Sequence, residues 1–191
     1  MVGDAFCATT HADLFLRATE RGIEVKVIHN ASIISAVGCS GLQVYRFGET
    51  VSVPLWTSSW RPDSWYDKII QNRKAGLHTL VLVDIKVKER TEINILKDRK
   101  IYEPPRFMTI KECVEQLLEA EKNREGGAYS SSTECFGLAR VGYENQKIVS
   151  GPMSSFLTLE MGPPLHSFVI CAEKLHHIEE LMYKYFLKGG E

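Results

Sequence analysis

The sequence predicts an α/β protein of two domains, the first of them incomplete. Three observations carry that reading. A helical stretch closed by Gly22 runs straight into Ile23–His29, IEVKVIH, a run rich in β-branched residues. His78–Val87, HTLVLVDIKV, is almost continuously apolar, as strands buried on both faces are. Thr109-Ile110-Lys111-Glu112 has capping-box spacing and opens a helical apolar stripe of Ile110, Cys113, Val114, Leu117 and Leu118.

Composition sets the limits. The chain has 191 residues, 44% hydrophobic and 25% charged, the mix of a folded globular protein. A chain of this length buries roughly 70% of its unfolded surface and needs no staples. Lys plus Arg number 23 and Asp plus Glu 24, so nothing in the net charge of −1 calls for nucleic acid or an anionic membrane as the main partner. No stretch approaches the roughly 18 consecutive apolar residues of a membrane span. Met1–Phe6 lacks the basic-then-apolar order of a secretory signal. Cys7, Cys39, Cys113, Cys135 and Cys171 are odd in number and show no CxxC spacing, so they read as free thiols of a reducing cytosol. Only His176 and His177 are adjacent among the histidines, and neighbours on a helix point apart, so no metal site is expected.

In chain order, Thr9 or Thr10 caps a first helix to about Arg21, with Leu14, Phe15 and Ala18 as its buried stripe and Gly22 at C′. Ile23–His29 is the strand it feeds. Asn30-Ala31-Ser32-Ile33 stands at the carboxyl end of that strand, where α/β sheets shape ligand crevices. Residues 33–48 read as a short helix and a turn. Thr50–Leu55 is a strand pushed to an edge by Pro54. Trp56, Trp60 and Trp65 read as core or subunit packing, with a substrate platform as the alternative. Asp63 caps a helix carrying Trp65, Tyr66, Ile69 and Ile70 and ending at Gly76. After the His78–Val87 strand, Lys86–Lys100 is a charged, exposed connection, and Pro104-Pro105 forbids a helix. Beyond the capped helix, Glu125–Ser132 reads as a flexible loop. Phe136–Val141, Gln146–Ser150 and Phe168–Cys171 read as strands, and Lys174–Leu187 as a helix burying Leu175, Ile178, Leu181 or Met182, and Tyr185.

A parallel sheet would place a strand before the first helix, and Val2-Gly3-Asp4 leaves little room for one. The pattern therefore raises the expectation that Met1 starts inside a longer protein.

Several stretches resemble one family in the right order along nearly the whole chain. Val2-Gly3-Asp4-Ala5-Phe6-Cys7-Ala8-Thr9-Thr10-His11 is similar to the Gly-Asp motif of the diphthine synthases. So are Val27–Ile33 with Ala36–Cys39, Tyr45–Thr50, Leu82–Lys86, Gly137–Gly142 and Pro164–Ser167, while Lys100–Met108, KIYEPPRFM, looks like the eukaryotic branch, the diphthine methyl ester synthases. The resemblance implies a tetrapyrrole-methylase-like fold of two α/β domains, here residues 1–55 as the end of the first and 56–191 as the second, with a mixed sheet. It implies S-adenosyl-L-methionine as methyl donor and S-adenosyl-L-homocysteine as product. It implies methylation of the aminocarboxypropyl-modified histidine of translation elongation factor 2, in diphthamide biosynthesis, by a cytoplasmic homodimer without metal.

Carried over residue by residue, the resemblance implies donor contacts at Asp4, Cys7, Ser32, Ile33, Val83, Val141 and His166, with Thr9, Thr10 and His11 as neighbours. Asp4 would accept from the donor's ammonium or ribose. Cys7 would contribute backbone, and Ser32 a small polar edge. Ile33, Val83 and Val141 would wall the adenine, and His166 would bond through ring or main chain. Two departures stand out. Ala5 and Cys7 occupy positions where the family has Pro and a small residue, and the family's elements before the motif are absent, which implies that this chain alone is inactive. Two rival readings stand beside this one. One is a same-fold methylase of a small molecule such as a tetrapyrrole, against which ATTH and IYEPPRF argue; the other is a non-catalytic dimeric module. A catalytic triad is not expected, because methyl transfer from a sulfonium relies on in-line positioning and exclusion of water.

Overall fold

The structure, a computed structural model, describes residues 3–7 and 11–187. Thr9 and Thr10, expected as helix caps, lie outside the described residues. In chain order the elements are α1 (His11–Glu20), α2 (Ile33–Ala36), β1 (Val51–Val53), α3 (Trp65–Lys74), β2 (Thr79–Val83), β3 (Ile85–Lys86), α4 (Glu92–Leu96), β4 (Arg106–Phe107), α5 (Ile110–Arg124), β5 (Glu134–Ala139), β6 (Lys147–Pro152), β7 (His166–Ile170) and α6 (His177–Leu187).

Five strands form one sheet in the order β1-β2-β7-β5-β6. β1 runs parallel to β2, and the β2–β7, β7–β5 and β5–β6 pairs are antiparallel. Alternation along β2 divides the core. Val81 and Val83 face a cluster with α3 and α5, whereas Leu80 and Leu82 face a second cluster with Val37, Leu42, Phe136 and Val169. The sheet is thus covered on both sides, and that explains the near-continuous apolar run at 78–83.

The capping box forms as the spacing predicts. The Glu112 N–H donates to the Thr109 hydroxyl at 3.2 Å and the Thr109 N–H donates to the Glu112 carboxylate at 2.7 Å. Ile110, Cys113, Val114 and Leu117 are buried beneath it. Gly41, Gly76 and Gly142 adopt positive φ at the turns they close.

Several expectations change. Ile23–His29 forms no strand, and no residue of α1 is buried. A strand requires a hydrogen-bonded neighbour, and among the described residues none lies beside 23–29. Ile23, Val25 and Ile28 therefore stay exposed, as do Leu14 and Phe15. A hollow of about 580 Å³ lies between α1 and residues 25–28. Asp63 does not cap α3; Ser64 precedes it without a side-chain cap bond, and the Asp63 carboxylate accepts from Arg124 at 2.9 Å instead. The strand expected to reach Val87 stops at Val83, because the Asp84 carboxylate accepts the Leu55 N–H and the Arg106 guanidinium and turns the chain away. The Gly/Ser stretch after α5 is pinned: Glu121 accepts the N–H groups of Gly127 and Ala128 and the Tyr66 hydroxyl, and Ala128 and Tyr129 are buried. In α6 the expected stripe holds only in part: Leu175 packs half-buried on the second cluster and Met182 is half-buried. Ile178, Leu181 and Tyr185 are exposed, and the charged Glu179 is the fully buried residue.

Candidate functional site

The Gly-Asp motif is a tight turn folded against residues 29–31. Gly3 has φ +78°, and a Cβ there would stand 3.2 Å from the Ala31 carbonyl oxygen, so the close approach suits glycine. The Asp4 N–H donates to that carbonyl at 3.0 Å. The Asp4 carboxylate accepts the Phe6 N–H at 2.9 Å, the Asn30 N–H at 3.0 Å and His29 Nδ1 at 3.0 Å. The Phe6 and Asn30 amides, with His29, hold the carboxyl well below the usual carboxylate range despite its burial. Asp4 is therefore a fixed anion that welds two stretches of chain. Cys7 follows, half-buried, at the end of the described turn.

Ser32 is the N-cap of α2, and its hydroxyl accepts the Ile34 N–H at 3.2 Å. Ile33 packs on the second core cluster, and Val141 packs on the same cluster from the end of β5. Val83 ends β2 and is buried in the other cluster. His166 begins β7 and pairs with Ala139, two residues before Val141. The register Leu82↔Ser167↔Leu138 sets Val83, His166 and Val141 at one end of the sheet.

The His166 ring is already committed. Nδ1 accepts the Ile110 N–H at 3.3 Å, at the start of α5, and Nε2 faces the carbonyl oxygens of Gly162 and Pro163 at 3.0 and 3.2 Å. Burial pushes its pKa down, outweighing those carbonyls, so the ring is neutral. Of the two routes expected for His166, the main chain is the one its ring leaves open. Arg140, which the motif reading passed over, donates to the Met161 and Pro163 carbonyls and shapes the loop leading to His166.

A buried polar junction ties the segment after Ser32–Ile33 to the sheet. Glu179, fully buried, accepts the Gln43 N–H at 3.0 Å, Arg46 at 2.7 Å, the His176 N–H at 2.8 Å and His78 Nε2 at 3.1 Å. His78 Nδ1 accepts the Ala172 N–H at 3.0 Å, so Nε2 carries the proton and the ring is neutral. Burial lowers the His78 pKa more than Glu179 raises it. Burial alone would raise the Glu179 carboxyl, but the His176 and Gln43 amides and His78 outweigh it and keep it ionised. Asn72 adds a second clip, its carbonyl accepting the Glu49 N–H and its amide donating to the Glu49 carbonyl. Nothing in helical periodicity marks Glu179 as buried; three of its partners, Gln43, Arg46 and His78, lie more than 100 residues away.

Asp4, Ser32 and Ile33 therefore form one continuous unit, Ile33 and Val141 share a cluster, and Val83, Val141 and His166 share a sheet end. The hollow beside α1 touches Gly3, Ala5 and Asn30, but apolar side chains of α1 and of residues 25–28 dominate its walls. It is distinct from that sheet end.

The sequence profile of the tetrapyrrole (corrin/porphyrin) methylases matches residues 1–156. The diphthine methyl ester synthase of Bos taurus is 53% identical over 190 residues, 97% of this chain and 67% of that protein. The one from Dictyostelium discoideum is 53% identical over 186 residues, again 97% of this chain, and 68% of the relative. A crystal structure of an Entamoeba histolytica protein described as a diphthine synthase superposes with TM-score 0.86 at 51% identity, covering 96% of this chain and 68% of that one. The chain belongs to the tetrapyrrole methylase family. Within it the chain falls among the diphthine methyl ester synthases, methyltransferases of diphthamide biosynthesis, and it spans about two thirds of these relatives' lengths.

Proposed function

We propose that the chain binds S-adenosyl-L-methionine between the Asp4–Ser32–Ile33 unit and the sheet end formed by Val83, Val141 and His166. The observation that carries this reading is Asp4, an anion kept ionised by backbone amides beside a small-residue turn. Such a group suits a donor with a cationic sulfonium and an ammonium. On this reading residues 1–55 supply the donor loops and the edge strand β1, and 56–191 the other four strands of the sheet that completes the crevice. Ile33, Val83 and Val141 are apolar walls, and main-chain groups around Ser32 and His166 read polar edges. Bound there, the donor supplies an electrophilic methyl group and yields S-adenosyl-L-homocysteine.

The methyl acceptor in this reading is the carboxylate of the aminocarboxypropyl histidine of translation elongation factor 2. A carboxylate is already deprotonated at pH 7, so no general base is needed. The neutral, fully bonded His166 ring agrees with that economy. The enzyme's contribution is alignment and exclusion of water. The working form in this reading is a cytoplasmic homodimer, a proposal motivated by the tryptophan-rich stretch, where Trp60 is exposed.

The test is transfer of a labelled methyl group to elongation factor 2 that carries the unmethylated modification, by the chain extended with the segment that precedes the Gly-Asp motif in the family, with a tetrapyrrole acceptor as control. Labelling of the factor alone is expected. Labelling of the tetrapyrrole alone would overturn the acceptor assignment. Asp4→Ala is expected to weaken donor binding about tenfold or more, measured by calorimetry.

A further inference from the structure

Residues 85–107 leave the sheet as an arm rooted at the candidate site. The arm starts two residues after Val83, its stem is the β3–β4 ribbon, and its outer part holds α4. Its foot is fixed. The Asp84 carboxylate accepts Arg106 at 2.8 Å, and the Asp84 carbonyl accepts the Met108 N–H at 2.9 Å. Further out, the Glu103 N–H donates to the Glu89 carbonyl at 2.8 Å, and Thr91 caps α4. The arm is thus a structured element that its foot holds in place.

Its outer surface is unusual in two independent ways. Leu96 is 85% exposed, and Ile93, Ile95, Ile101 and Tyr102 are all exposed as well. None of these side chains joins either core cluster. A run of exposed aliphatic and aromatic side chains of this kind marks a contact surface. The second feature is charge. Ion pairs use Lys86 with Glu89, Arg90 with Asp98 and Arg106 with Asp84. Lys88, Lys97, Arg99 and Lys100 have no carboxylate partner among the described residues, against Glu92 and Glu103 on the acidic side. The chain as a whole carries net charge −1, so this positive excess is local.

We infer that the arm is the docking surface for the protein substrate, and that it binds an acidic surface patch with an apolar centre next to the residue to be methylated. The inference rests on the proposed function, in which the acceptor side chain belongs to a folded protein. Such a side chain must be held in line with the donor by contacts outside the crevice. An arm rooted at Asp84 provides them at the right place. Aliphatic side chains supply the water-excluding centre, and Lys97, Arg99 and Lys100 supply steering and register.

The experiment uses the chain and elongation factor 2 bearing the unmethylated aminocarboxypropyl histidine. Binding is measured by biolayer interferometry at low and high salt, and labelled methyl transfer and donor affinity are measured in parallel. The variants are Lys97→Glu/Arg99→Glu/Lys100→Glu together, and Leu96→Ser/Ile101→Ser together. Both sets are on exposed positions, so melting temperatures should match the unsubstituted chain. Binding is expected to weaken at least about tenfold in each, with donor affinity unchanged and salt sensitivity lost in the charge variant. Unchanged binding by the charge variant, or no binding by the unsubstituted chain, overturns the inference. Loss of self-association in sedimentation with factor binding intact also overturns it, since the arm would then join two copies of the chain. Failure of the functional reading looks different: donor binding and methyl transfer would both be missing even in the chain extended with the segment that precedes the Gly-Asp motif in the family, whatever the arm does.

Discussion

Two parts of the molecule carry similar apolar patterns and meet different fates. Ile23–His29 is richer in β-branched residues than β5, whose sequence is ECFGLA. β5 is nonetheless a central strand, bonded on both sides, while among the described residues no strand lies beside 23–29. β-propensity describes how well a residue fits a half-buried pleated surface, and a strand exists only where a neighbour supplies one. The same holds for helices. α5 and α1 both have amphipathic stripes, but α5 lies on a sheet and buries its stripe, whereas α1 has a hollow and an extended segment opposite it.

The comparison can be sharpened first where burial is deepest. Phe136 is fully buried in β5 and meets Tyr183 and Phe186 of α6 edge-on. Phe136→Ala should cost about 3–5 kcal/mol, read by urea denaturation. A cost below 1 kcal/mol would mean that the sheet half is no better packed than the segment before it.

Next comes the junction between the halves. Removing the Glu179 carboxylate leaves Arg46 and the Gln43 and His176 amides without their acceptor. Breaking a buried ion pair by removing one partner costs about 3 kcal/mol or somewhat more. Glu179→Ala should therefore lower the melting temperature by roughly 6–12 °C for a chain of this size. Hydrogen exchange should rise first at residues 41–48, the stretch that the junction holds. Uniform exchange across all elements would mean that Glu179 stabilises the fold without fixing that connection.

Much of the sheet half is legible in the sequence, and the reasons are local. Thr109 and Glu112 satisfy each other's backbone donors within one turn, and the stripe below them follows helical periodicity. Gly76 and Gly142 mark turns because positive φ is cheap only for glycine. What was not legible depends on distant partners. The buried face of α6 is set by a carboxylate whose partners include Gln43, Arg46 and His78. The ordered loop after α5 is set by Glu121 and Tyr66, which are 55 residues apart. At the site, the family motifs led to Asp4, Ser32 and His166, but their hydrogen bonds could not be read from spacing. Only the fold shows that Asp4 braces a turn and that the His166 ring is already used.

A smaller effect follows from pH. Burial depresses the pKa of both His78 and His166, so the folded state binds fewer protons than the unfolded chain near pH 6. Stability is then fully present above the unfolded histidine value, about 6.5, and is lost as pH falls through it. The slope cannot exceed about 1.4 kcal/mol per pH unit for each ring. Asp4 and Glu179 are depressed carboxylates, so their contribution persists until pH falls below about 4 and is lost below that. Urea titrations at pH 7.5, 6 and 5 should show a falling midpoint. A flat midpoint across that range would mean that both rings take up protons in the folded state.

The smallest effect is expected in the segment that resembles a strand most. Ile28 is 77% exposed and belongs to neither core cluster. On propensity alone Ile28→Ser should be costly, since isoleucine favours strands and serine does not. On the packing argument it should be nearly silent, within about 0.5 kcal/mol, because a side chain this exposed has little to lose. The two accounts differ most at this position, which makes it the cleanest place to separate them. Chemical denaturation of the 191-residue chain with and without the substitution decides the matter. Coincident curves support the view that a partner, not a pattern, makes a strand. A loss of about 2 kcal/mol or more would match the burial of a whole apolar side chain. It would mean that residues 23–29 pack in solution against a surface that the single chain does not show, and the contrast between the two parts would then fail at its sharpest point.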